Sequence, residues 1–228
     1  MTQFGTRYVI FATGLLLAAA AQAAEVAQVF GKPLSAEELK WRAGEPPTQA
    51  ARQLREIALK EAGARFIAAN NLKATPEEIA AYGRWEAQFQ QQDRERRAAR
   101  LAQLEKASAP SEAQRQELDV LRQLAKHDAT RPAPSPRVHG WWIEGYKLKK
   151  ALYEKYGGRV GITKWGPDPV GATEALLREH EKAGDLVILD AALKREFWDS
   201  LAREPRFPAK GAEQMDFTYY WLKPPPSK

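Results

Sequence analysis

The chain has 228 residues and no cysteine, three histidines and two methionines. Without cysteine there is no disulfide scaffold, no thiol nucleophile and no Cys-ligated zinc or iron–sulfur site. The histidines, His127, His139 and His180, are scattered. A His-rich metal site is therefore not expected, and neither is any other cofactor. The sequence also lacks G-x-S-x-G, H-E-x-x-H, a Walker loop and G-x-G-x-x-G. Beyond residue 23 no apolar run approaches the roughly 20 residues that a spanning helix needs.

Concentrated charge is missing too. Lys and Arg total 35 against 29 Asp and Glu, a formal net charge of +6. That excess is spread over both halves, whereas a nucleic-acid binder gathers it on one face or helix. Nucleic acid is not an expected partner. The most basic stretch, Asp93 to Arg97 with Arg100, reads as a solvated helix face with internal ion pairs. What is present is a 44% hydrophobic composition, which excludes wholesale disorder. The length allows one large domain or two small ones.

The first 23 residues read as an address. Arg7 precedes an Ala- and Leu-rich apolar run, and Ala21-Gln22-Ala23 follows as a small-x-small cleavage signal. A basic start, a short apolar core and A-x-A make a secretory signal peptide. Cleavage after Ala23 is expected, with the mature chain in the periplasm and no stable membrane span.

Helical signals dominate the mature chain. Val26 to Phe30 suits a short strand, turned by Gly31-Lys32-Pro33. Ser35 and Glu38 form a capping box, so a short helix is expected there. From Thr48 to Ala69 the apolar residues Ala51, Leu54, Ile57, Ala58, Ala62 and Phe66 recur every three or four positions and share one face. Thr75-Pro76-Glu77-Glu78 is a second capping box with proline at the first helical position. Nothing breaks that helix before Ser108. Residues 90–100 are nearly all polar or Ala, which predicts an arm leaving the body. Leu118, Leu121 and Leu124 form a stripe suited to Leu101 and Leu104, so residues 76–107 and 112–128 predict an antiparallel helical hairpin.

Thr130 to Pro136 is Pro-rich and extended, the one clear internal boundary. Five of the seven Trp lie after it. Residues 138–156 read as a helix capped by Gly157. Arg159 to Trp165 suits a strand, Asp168-Pro169 opens a helix that Gly184 closes, and Asp185 to Leu189 is a short apolar run. Asp190 caps a further helix. Phe217 to Leu222 is rich in strand formers.

Few residues read as chemistry. Gly157 to Gly161 follows a helix and reads as a cap and turn, not a phosphate cradle. Glu37-Glu38 and Glu77-Glu78 sit at helix N-termini, where capping and the macrodipole favour negative charge. His180 lies between Glu179 and Glu181, but sequence neighbours diverge by about 100° on a helix. No catalytic residue is assigned. The aromatic excess is more suggestive. Trp85 and Phe89 fall where the long helix leaves the body. Large amphipathic rings suit an apolar surface that holds extended chains by non-directional burial.

The stretch Glu25 to Leu39 resembles the opening strand–turn–helix of SurA-type periplasmic chaperones, a V-x-x-V-N-G-x-x-I string ending in Ser or Thr. Asn71 to Ile79 is similar to that family's N-(I/L/V)-x-(A/V)-T-x-E-E-(I/V) passage. The resemblance covers about residues 25–90, and Phe30 stands where the family carries Asn. It implies a helical domain that binds unfolded outer-membrane proteins without ATP. Family members usually also carry parvulin prolyl-isomerase domains. Here the parvulin opening A-R-H-I has no convincing match at Pro136 to Gly140, and there is no Cys.

The expected fold is mainly α: a helical chaperone-like domain with a long helical-hairpin arm, plus a C-terminal α+β region with a few short strands. The expected divisions are a signal peptide at 1–23, a SurA-like helical domain at 24–131, a linker at 132–136 and an aromatic-rich region at 137–228. The expected function is an ATP-independent holdase for unfolded envelope or outer-membrane polypeptides. Its candidate client-binding residues are Tyr82, Trp85 and Phe89, then Trp141 and Trp142. Two other readings stay open. One is a divergent parvulin-type peptidyl-prolyl isomerase in residues 136–228, with His139 and His180 as the residues to substitute. The other is a non-enzymatic envelope adaptor with one dedicated partner.

Overall fold

A computed structural model describes residues 25–42, 44–130, 135–203 and 205–222. The expected signal peptide at 1–23 and most of the expected 132–136 linker lie outside the described residues. The described elements are β1 (Glu25–Val29), β2 (Lys32–Ser35), α1 (Thr48–Ala69), α2 (Pro76–Glu105), α3 (Glu112–Thr130), α4 (Pro136–Tyr156), β3 (Gly161–Thr163), β4 (Gly166–Asp168), α5 (Val170–Ala183), β5 (Leu186–Ile188) and α6 (Ala191–Ala202). Two 3-10 turns come after α6, at Ala212–Met215 and Tyr220–Leu222. The chain is mainly α with a few short antiparallel strands, as its periodicities predict.

The capping signals act as their chemistry requires. Thr75 Oγ1 accepts from the Glu78 N–H at 3.2 Å, and Glu78 Oε2 accepts from the Thr75 N–H at 2.9 Å. Both bonds satisfy groups that the start of α2 would otherwise leave orphaned. The Ser35–Glu38 box closes in the same way, yet it supports one turn and not the helix expected there. Lys40 adopts φ 51°, and Gly44 follows at φ 84°. A left-handed residue ends a right-handed helix at once.

β1 lies in the middle of a three-stranded sheet, antiparallel to β2 on one side and β5 on the other. Ala27 pairs with Leu34 across one edge and with Ile188 across the other. Phe30 (φ 50°) and Gly31 (φ 78°) form the two-residue β1–β2 loop. Positive φ at both central residues matches the twist of a hairpin. It disfavours a ring-bearing residue at Phe30. Contacts hold that ring: the Arg65 guanidinium lies 4.1 Å over its centroid, and His180 meets it edge-on at 4.9 Å.

Against this sheet pack α1, α5 and α6. The first hydrophobic cluster joins Ala27, Val29, Leu54, Leu177, Leu193 and Phe197, among others. Residues from both sides of the Pro-rich stretch contribute to it. That stretch divides the sequence, while the packed cluster spans it. Gly158 (φ 90°) lies against Gly171, where a Cβ would come 2.5 Å from the Arg159 nitrogen. The glycine-rich passage thus serves as a helix cap and a close backbone crossing.

α2 and α3 form the expected antiparallel hairpin. Leu104 is buried in it, but Leu124 stays exposed, so the apolar stripe is only partly covered. Ion pairs supply much of the remaining seam. Arg97 reaches Asp128 at 2.6 Å, Arg100 grips Glu117 through two bonds of 2.7 and 2.8 Å, and Arg122 meets Glu105 at 3.0 Å.

One expected strand is absent. Residues 217–222 end in a 3-10 turn instead. Their rings are taken up by helices: Phe217 stacks on Tyr153 at 5.0 Å, and Trp221 meets Tyr82 at 5.5 Å and Tyr146 at 5.6 Å. Among the described residues no strand pairs with this segment, so its strand-forming residues join no ladder.

Candidate functional site

The aromatic surface is built where α4 crosses α2. His139 and Ile143 are one turn apart on α4 and are both buried. Gly83 on α2 makes room, since a Cβ there would lie 3.4 Å from the His139 ring. His139 is 8% exposed, and its Nε2 lies 2.7 Å from Glu86 Oε2. Further along the seam Lys147 bonds Glu78 at 3.0 Å and the Lys73 carbonyl at 2.9 Å. Glu144 accepts from the Ala74 N–H at 3.3 Å and faces Lys73 at 3.7 Å. These bonds fasten the base of the arm helix to the body.

Above the seam sits a second hydrophobic cluster. Tyr82, Ile143 and Trp221 form its buried centre, and Trp85, Trp142, Tyr146 and Tyr219 pack around it partly buried. Burial pushes the Tyr146 hydroxyl above the ordinary tyrosine value, and the nearby Asp216 charge adds to the shift.

The five candidate residues fall into different places around this cluster. Tyr82 is 7% exposed, and its ring faces His139 at 5.1 Å, Trp221 at 5.5 Å and Trp85 at 6.1 Å. It packs beneath the surface and leaves little of its ring open to solvent. Trp85 is half-buried and stacks on Phe89 at 5.3 Å with an interplanar angle of 8°. Phe89, one turn further out, is 39% exposed. On α4, Trp141 is 67% exposed and meets the partly buried Trp142 at 4.9 Å. The structure thus joins Trp85 to Phe89 and Trp141 to Trp142. Each pair borders the second cluster through its inner member.

Trp165 was not among the candidates, yet it extends the α4 pair. It is 56% exposed and lies 4.9 Å from Trp142. A tight turn carries it there: Thr163 pairs with Gly166, which leaves Lys164 and Trp165 as a two-residue hairpin loop. Thr163 Oγ1 donates to the Gly166 carbonyl at 2.9 Å and accepts from the Trp165 N–H at 3.1 Å. The Gly after Trp165 was the available signal, since it marks a turn where a continuous strand was expected.

Both histidines singled out for isomerase chemistry are engaged in packing. His139 sits in the α2–α4 seam, and His180 Nδ1 lies 3.0 Å from Asp185 Oδ2. Among the described residues no group of three or more His, Asp or Glu is placed to hold a metal ion. None of the described helices is long and apolar enough to cross a membrane. The exposed rings offer an apolar, weakly polarised surface that gains free energy by burial and needs no fixed geometry. No protein-family model matches the chain, and no curated protein or solved structure matches it either.

Proposed function

We propose that this chain is an ATP-independent chaperone, a holdase that binds extended apolar segments of unfolded envelope or outer-membrane polypeptides. One observation carries the reading. The stacked Trp85–Phe89 pair opens to solvent at the point where α2 passes from the body into the arm. Tyr82 and the second cluster hold its base, so the rings are presented by a fixed platform. Trp141 and Trp142 add a second aromatic face beside the same cluster. The resemblance of residues 25–90 to SurA-type chaperones supports the same reading.

The energetics suit transient holding. Burying one such ring contributes about 1.5–3 kcal/mol. Two or three rings give about 3–9 kcal/mol before the entropy of association is subtracted, so each such contact is weak. Contacts of that kind release a client without nucleotide hydrolysis.

The test dilutes an outer-membrane protein from urea into the chain without ATP and follows light scattering. Suppression near a one-to-one ratio is expected. Combined W85A and F89A should raise the ratio needed several-fold, with the urea unfolding midpoint followed alongside because Trp85 also packs on the second cluster. The more exposed position alone, Phe89→Ser, guards against a folding defect in the double variant. No suppression at large excess would overturn the reading. A single stoichiometric band in a pull-down from periplasmic extract would then favour a dedicated partner.

A further inference from the structure

The α4 patch carries cations beside its rings. Arg137 is exposed one turn before Trp141 on the same helix. Val138, 43% exposed, lies beside it, one turn before Trp142. At the hairpin tip the Lys164 ammonium sits 4.7 Å over the Trp165 ring. Gly145 adds no side chain to the next turn, and a Cβ there would meet nothing within 4 Å. The carboxylates nearest in sequence are already occupied: Glu144 by Lys73 and the Ala74 N–H, Asp168 by Lys149 at 3.0 Å. The result is three touching indoles flanked by two exposed cations.

We infer that Trp141, Trp142 and Trp165, with Arg137 and Lys164, form a docking patch for an anionic bilayer surface. Indole rings favour the headgroup layer, where an apolar face and a polar N–H are both accommodated. Cations beside them are drawn to anionic headgroups. The patch occupies the first turns of a helix and the tip of a two-residue hairpin. Exposed rings there can enter a deformable interface without a complementary partner shape. The proposed attachment is peripheral, made by rings and cations at the headgroup layer. It shares Trp141 and Trp142 with the proposed client surface, whereas Trp85 and Phe89 belong to the clients alone.

The experiment sediments the protein with vesicles of phosphatidylcholine alone or mixed with phosphatidylglycerol. All described elements begin after residue 24. The full chain and the chain from Ala24 are therefore both used, which separates the patch from any contribution of the apolar leader. Binding to the anionic vesicles is expected, weakened by high salt and much reduced on phosphatidylcholine. Arg137→Glu with Lys164→Glu should lower the affinity roughly tenfold or more, given the strength of single cations at such surfaces. Trp141→Ala with Trp165→Ala should do the same through lost burial, again by about tenfold. Trp85→Ala with Phe89→Ala should leave vesicle binding unchanged, so this inference and the holdase reading fail separately. Equal binding to both vesicle types would overturn the inference. So would variants that keep their urea midpoint and bind vesicles like the parent. Displacement from vesicles by a soluble acidic polypeptide at low concentration would reassign the patch to an acidic protein partner.

Discussion

Leu54, Leu177, Leu193 and Phe197 are fully buried between the three-stranded sheet and helices α1, α5 and α6. The second cluster surrounds only Tyr82, Ile143 and Trp221, and it spreads outward through Trp85, Trp142, Tyr146 and Tyr219. The first is mostly aliphatic and closed. The second is aromatic, and its outer members continue into exposed rings. Aliphatic side chains fill a dense interior, whereas large amphipathic rings remain useful when half in water. The first cluster is built as an interior, and the second as an interior that opens into water.

Substitutions can break that comparison. The largest effect is expected from Phe197→Ala, which empties the centre of the first cluster. It should destabilise the whole chain by roughly 3–5 kcal/mol, read from the urea unfolding transition. Ile143→Ala should lose about 2–4 kcal/mol, and the loss should be local. Hydrogen exchange would then speed up in the early turns of α2 and in α4 while β1 and α6 stay protected. Equal loosening everywhere would show that the two clusters form one cooperative unit.

A smaller effect belongs to the arm. Arg97→Ala removes a partly exposed pair with Asp128 and should lower stability by about 1 kcal/mol or less. Exchange should rise in α3 and leave the body untouched. The smallest effect is alkaline. Tyr146 is held above the ordinary tyrosine value of 10 by burial. Its neutral form is favoured in the folded state, so its contribution is complete below 10. It is lost as pH rises from there towards the folded value. Fluorescence of Trp221 should report the second cluster loosening over that range, and Tyr146→Phe should flatten the response.

Local signals were legible where local forces decide. The bounds of α1 follow from its apolar stripe and those of α2 from the Thr75 box, because both are set within a turn or two. The same box at Ser35 misled, since it says nothing of the left-handed Lys40 five residues on. Residues 217–222 carry strand-forming side chains, but whether a strand forms depends on a neighbouring edge, which no local pattern reports. The candidate rings were found by type and spacing. Their exposure was not, because Tyr82 and Phe89 lie on one face of one helix and differ only in what covers them. Trp221 and His139 cover Tyr82, from segments far along the chain. Trp165 was missed for the same reason, being joined to Trp142 by a turn and not by periodicity.

The central place of β1 in its sheet has a consequence in time. Its partner on one side, β2, comes next in the chain, but its partner on the other, β5, ends at Ile188. A lone two-stranded hairpin is marginal in water. During synthesis the first strand therefore waits, half-paired, until most of the chain has emerged. The long interval is filled by α1 to α5, whose contacts near in sequence form early. The last events are the insertion of β5 beside β1 and the closing of α6 over α1, so the first residues of the fold are among the last to be secured.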